Sequence, residues 1–147
     1  MIGDQGACIV EGRQQHLDSL TLYYDGRCKL CLAEIHFLGG RNRRGLLSFV
    51  DINDERFAEA GHPVSCAAAM AQMHGRLGNG QLLTGVPVFA EAYRRADLPV
   101  LAWFFSRAWT RPILDLGYAG FARYRHSISR VIGPPLLRLA RRLSPGG

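Results

Sequence analysis

Apolar and polar positions along the chain change period at a few well-marked points. "LTLYYD", Leu20 to Asp25, is rich in aromatic and β-branched residues and stops at Gly26, the pattern of a buried strand. From Cys28 onward, Leu30, Cys31, Ile35 and Leu38 recur at helical spacing until Gly39-Gly40 breaks the pattern. "LLSFVDI", Leu46 to Ile52, reads as a second strand, and its link to the first through a helix predicts a parallel, right-handed βαβ unit. Asn53 or Asp54 caps a short helix to about Ala60, Gly61-His62-Pro63 ends it, and Ser65 caps a further helix over "CAAAMAQ". "MHGRL" and "QLLTG" then flank Gly78-Asn79-Gly80, the turn chemistry of a hairpin.

Beyond Val86 the period is helical to the end. Phe89, Ala92 and Tyr93 form one apolar face, Pro99 opens a helix over "VLAWFFSRAW", and Pro112 opens another over "ILDLGYAGFARYRHSISRVI". Gly133-Pro134-Pro135 is expected to separate a last basic helix, "LLRLARRL". Residues 1–19 are polar and aperiodic, a loose arm. The chain therefore divides into that arm, a core over 20–96, and a helical extension over 97–147 that packs on the core and ends in a basic tail. The fold class is α/β, with a mixed sheet made of a βαβ unit and an antiparallel hairpin.

A chain of 147 residues, 48% of them apolar, has room for one domain with a real core and for no second one. Its formal charge of +6 is carried almost wholly by arginine, Lys29 being the only lysine. That excess favours anionic surfaces in general. Nucleic acid is not the expected partner, since no stacking motif accompanies the arginines. The N-terminal stretch lacks the basic start and apolar centre of a secretory signal, so a cytoplasmic location is expected. "LPVLAWFF", Leu98 to Phe105, falls short of the ~18–20 residues that cross a bilayer. In a reducing compartment a close cysteine pair is more often catalytic or metal-binding than a structural staple.

Such a pair lies in "YYDGRCKLC", where the first strand runs into the first helix. A thiolate is the species that attacks disulfides, and a helix N-terminus favours it through unpaired N–H groups and the dipole. Cys28 sits there, flanked by Arg27 and Lys29, whose charges act in the same direction if they face the sulfur. Cys31 follows one turn later on nearly the same face, placed to resolve a mixed disulfide formed on Cys28. On the residues alone two other readings stay open. One is a zinc site completed from His36, His62 and Cys66, whose spacing matches no zinc motif; the other is a pair of inert thiols.

"YYDGRCKLC" resembles the opening motif of the DCC family of predicted thiol-disulfide oxidoreductases, named for an Asp-Cys-Cys signature and similar to thioredoxin-like proteins. Asp25, Cys28 and Cys31 fall on the signature positions. "MHGRLGNGQLLTG" resembles the family's hairpin and "YAGFARYRH" its C-terminal block, so the resemblance runs from about Leu20 to Ser129. It implies a thioredoxin-like sheet and a thiol-disulfide oxidoreductase without a bound cofactor or metal. Its partners would be a disulfide-containing protein or small molecule and an unidentified electron donor. The chain has Lys29 where the family often carries proline. It also has no proline in "MAQMH", where thioredoxin-like folds place a cis-proline facing the cysteines.

Asp25 has two roles open to it: capping the first helical turn, or relaying a proton from Cys31. Cys8 is expected to be a free thiol in the arm, Cys66 a small core residue, and His74 a structural hydrogen-bonding residue with a weaker claim to the site. Trp103, Phe104, Phe105 and Trp109 are expected to form core or a helix-packing face. The rival to catalysis is an adaptor that docks a partner or an anionic membrane surface through Arg123, Arg125, Arg130, Arg138, Arg141 and Arg142, with no acid after Asp115.

Overall fold

The computed structural model describes residues 16–144. Its strands are β1 (Leu20–Tyr24), β2 (Leu47–Asp51), β3 (His74–Leu77) and β4 (Leu82–Thr84), and they form one sheet in the order β2-β1-β3-β4. β1 runs parallel to β2, with Leu20 opposite Leu47, and antiparallel to β3, which pairs antiparallel with β4. Helix α1 (Lys29–Gly39) makes the crossover between β1 and β2. The predicted βαβ unit and hairpin therefore share β1 and β3 as neighbours, which gives the α/β, thioredoxin-like mixed sheet.

The period of two along β1 splits the core. Leu20 and Leu22, both fully buried, face Leu38 of α1 together with Val88 and Ala92 of α4 (Val86–Arg95). Tyr23, also fully buried, faces the other way, into a cluster of Ile52, Phe57, Val64 and Ala69. Those last residues border or belong to two short helices, α2 (Arg56–Glu59) and α3 (Cys66–Ala71). Ser65 caps α3 by accepting from the Ala68 N–H at 3.1 Å. α2 has no side-chain cap on its flanking Glu55; Asp54 instead accepts from the Arg56 N–H at 2.9 Å, and Asn53 is drawn away to the cysteine turn.

The remaining helices are α5 (Pro99–Ser106) and α6 (Arg111–Leu143). α6 corrects one expectation: it runs 33 residues straight through Gly133-Pro134-Pro135. Each proline removes an intrahelical hydrogen bond, at a cost that can reach ~3 kcal/mol in a helix interior. The carbonyls deprived of partners belong to Arg130 and Val131, both on the exposed side, where water can reach them. What holds the helix together is one continuous buried stripe. Arg125, Ser129 and Gly133 lie before the prolines, Leu137 and Ala140 after them, and the last two pack on Ala33 of α1. Ser144 closes the far end, its Oγ donating to the His36 carbonyl at 2.8 Å.

Three more expectations change. Trp103, Phe104 and Trp109 are 49%, 39% and 64% exposed rather than core, because α5 ends at Ser106 and only Phe105 turns inward, onto Phe89 and Tyr93. Cys66 is exposed, since it opens α3 at the surface and only Ala69 of that helix is buried. The arm and Cys8 lie mostly outside the described residues, but its end is fastened. The Asp18 carbonyl accepts from buried Arg95, and the Ser19 carbonyl from the Gly78 N–H at 2.8 Å.

Gly133 is where α6 comes closest to the start of α1: a Cβ there would lie 2.8 Å from Lys29 Cβ and 3.2 Å from Ser129 Oγ. Gly120, on the same helix, has nothing within 4 Å. Gly133→Leu should therefore lower the stability of the reduced protein by ~1–3 kcal/mol through overpacking. Gly120→Ala should raise it by up to ~1 kcal/mol through helix propensity. Urea unfolding midpoints check both signs; equal effects would remove the close approach from the account.

Candidate active site

The site is built where β1 gives way to α1. Cys28 occupies the N-cap with extended backbone angles, φ −86° and ψ 108°, and its Sγ accepts from the Cys31 N–H at 3.3 Å. The sulfur thus fills the place usually taken by a serine or aspartate oxygen. The turn before it is pinned by carboxylates. Asp25 Oδ1 accepts from the Arg27 N–H at 3.0 Å and from Asn53 Nδ2 at 2.7 Å, and Asp51 Oδ1 accepts from the Gly26 N–H at 3.0 Å. A Cβ on Gly26 would fall 1.9 Å from Asp51 Oδ2, so only glycine lets the turn approach that carboxylate so closely.

α6 supplies the other side. Ser129 Oγ accepts from the Leu30 N–H at 3.3 Å and helps to hold the Cys28 thiol down. One turn earlier, buried Arg125 places Nη2 3.5 Å from Asp25 Oδ2. Asp25 is 2% exposed, and this Oδ2 has no hydrogen-bond partner among the described residues. A charged pair so buried survives only because each member covers the desolvation of the other.

These contacts divide the properties of the two thiols. Cys28 is held down to about 6, chiefly by the hydrogen bond from the Cys31 thiol, with further help from the Cys31 N–H, Ser129 and the Leu30 N–H, and against the opposing effect of burial. Exposed Arg27 and Lys29, the expected helpers, take no part. Cys31 is pushed far up, first by hydrogen bonding to Cys28, then by burial and by the Cys28 charge. Arg125 pulls Cys31 down and Asp25 pushes it up.

Access divides them as well. Cys28 is fully buried, whereas Cys31 is partly exposed and lines a cavity of about 490 Å³ between α1, α4 and α6. Asp25 and Arg125 line the same cavity. Cys31 therefore stands between the cavity and the thiolate.

The other candidates are placed elsewhere. His62 stacks on Phe57 and meets Tyr23 Oη at 3.5 Å, and His74 Nδ1 bonds the Gln72 carbonyl at 2.9 Å. No group of three or more His, Cys, Asp or Glu that could hold a metal occurs among the described residues. No peptide bond among them is cis; before β3, the Met73 N–H is engaged by Tyr118 Oη of α6. Arg125 and Ser129 are the site residues that sequence reading missed: Arg125, expected on the basic docking face, is instead buried and paired with Asp25, and Ser129 had no role. Their signal was available as a polar and small stripe, Arg125-Ser129-Gly133, at four-residue spacing on an otherwise apolar helix face.

No solved structure matches the chain. A chloroplastic protein of Arabidopsis thaliana, named as uncharacterised, is 29% identical to it over 115 residues, 75% of this chain and 52% of that protein. The chain thus spans about half the length of this relative. Residues 22–131 match the profile of the DCC1-like thiol-disulfide oxidoreductases, a region that holds the cysteine turn, the sheet and the part of α6 that covers the site. The chain belongs to the DCC1-like thiol-disulfide oxidoreductase family.

Proposed function

We propose that the Cys28–Cys31 dithiol exchanges with disulfide substrates, with Cys28 as the attacking sulfur and Cys31 as the resolving one. The supporting observation is the set of donors around the Cys28 sulfur, which holds it near pH 6. At neutral pH the reduced protein then carries one thiolate, on Cys28, and one proton, on Cys31. Rotation of the Cys31 side chain opens the path from the cavity, and the thiolate attacks a substrate sulfur; a Cys28–substrate disulfide forms and the first substrate thiolate leaves. Cys31 then gives up its proton and attacks the Cys28 sulfur, closing the intramolecular disulfide and expelling the second substrate thiol. Asp25 Oδ2, which makes no hydrogen bond among the described residues beyond its ion pair with Arg125, belongs to a residue that lines the same cavity and is the proton acceptor for that second step. In sum, one dithiol is oxidised, one disulfide is reduced, and the single proton leaves with the product.

A second reading, contact with an anionic membrane surface, is favoured by the outer face of α6. Arg138, Arg141 and Arg142 are exposed there beside Val131 and Ile132, which are 77% and 47% exposed. A helix carrying arginines and apolar residues on one outward face is suited to lie at lipid headgroups. Among the described residues no helix is long and apolar enough to span a bilayer.

Mass spectrometry of single-cysteine variants after exposure to a disulfide tests the first reading. Cys31→Ser should accumulate a mixed disulfide on Cys28, and Cys28→Ser should accumulate none and lose turnover; capture on Cys31 instead would reverse the roles. Asp25→Asn keeps the Oδ1 contacts and should slow closure of the disulfide by ~10²-fold or more, while unchanged closure would leave Asp25 only its structural role. For the membrane reading, Arg138→Glu with Arg141→Glu should abolish cosedimentation with phosphatidylserine vesicles; equal binding by the variant would refute it.

A further inference from the structure

The geometry points to the substrate of this site being a small, uncharged, apolar disulfide, bound in the cavity beside Cys31. The inference rests on the redox reading of the cysteine pair and goes beyond it by choosing among disulfides.

Size is the first constraint. About 490 Å³ is the volume of a small-molecule site; Cys31 lines it, and buried Cys28, whose Sγ accepts from the Cys31 N–H, adjoins it. The disulfide of a folded protein, carried on backbone at both ends, is poorly suited to a cavity of that size while α6 stays seated on α1. Leu137 and Ala140 seat it there against Ala33, and Ser144 ties its end to the His36 carbonyl.

Charge is the second constraint. Phe37, Phe89, Leu101 and Phe121 supply apolar wall, and Leu136 and Leu139 continue it onto α6. Among the described residues Arg125 is the only cation in the lining, and it is already committed to Asp25. The remaining ionisable carboxyl is Glu34, half-buried, accepting from Tyr93 Oη at 2.7 Å, with its pKa raised by desolvation. A carboxylate-bearing ligand such as glutathione disulfide would lose its hydration here, meet two carboxyl groups, and find no free cation. An uncharged ligand meets apolar wall along its length, and Asp25 Oδ2, ion-paired with Arg125 but with no hydrogen bond among the described residues, can accept from a neutral N–H. The chemical class is thus a dithiolane or short dialkyl disulfide on an uncharged apolar stem.

Lipoamide and lipoate share one ring and differ in charge, so their reduced forms are the probes. The oxidised protein is mixed with dihydrolipoamide or dihydrolipoate, quenched with a maleimide, and the free Cys28 and Cys31 are counted by mass over time. The dithiol becomes a dithiolane as the Cys28–Cys31 bond is broken, so electrons and protons balance without a further reagent. The expected result is at least tenfold faster reduction by the amide. Leu139→Arg, a half-exposed wall position that can carry a cation without burying it, should shrink or invert that preference. Equal rates, or a faster acid, with the wild-type protein overturn the inference and leave the redox reading standing. A protein whose cysteine pair cannot be cycled even by dithiothreitol overturns the redox reading itself.

Discussion

One sulfur atom collects the hydrogen-bond donors on which the site depends. The Cys28 Sγ accepts from the Cys31 N–H, and Cys31, Leu30 and Ser129 together hold its thiol below the ordinary range, in a place fully closed to water. A helix start always leaves N–H groups without partners, and here the side chain that answers them is itself ionisable. Satisfying the helix and stabilising the thiolate are therefore the same contacts. Because the folded pKa lies below that of an ordinary thiol, this stabilisation of the reduced fold is complete above the ordinary thiol range. It fades as the pH falls, and is lost through about 6.

The long C-terminal helix completes that environment from nearly a hundred residues away, and its composition follows from the task. Ser129 accepts from the Leu30 N–H in the first turn of α1, Gly133 clears room for the approach, and Arg125 offsets the buried charge of Asp25. Pro134 and Pro135 weaken the helix just beyond this contact, yet Leu137, Ala140 and Ser144 bind the segment after them to α1. The same segment forms one wall of the cavity, so a single element both seals Cys28 and shapes the route past Cys31.

What could be read from the sequence was local. The strand-to-helix join, the parallel unit and the hairpin follow from period changes and turn residues within a few positions of each other, and Cys28 and Cys31 lie inside one such join. Tertiary contacts account for the rest. Gly133-Pro134-Pro135 has the local chemistry of a break, and only the buried stripe on both sides of it makes one helix. Trp103 and Trp109 have the composition of core residues, but helix length leaves them outside. Arg27 and Lys29, adjacent in sequence to Cys28, point into solvent, while Ser129 does what they were expected to do. Spacing along a chain reports neighbours on one element and is silent about which second element arrives opposite.

The most direct test of the account is the pH titration of thiolate ultraviolet absorbance in the fully reduced protein, taken as the difference from Cys28→Ser. A single transition with its midpoint at about 6, assigned to Cys28 and leaving Cys31 protonated throughout, is the predicted result. A midpoint near the ordinary thiol value of 9.0 would contradict it, because the donors around that sulfur would then not be holding a charge.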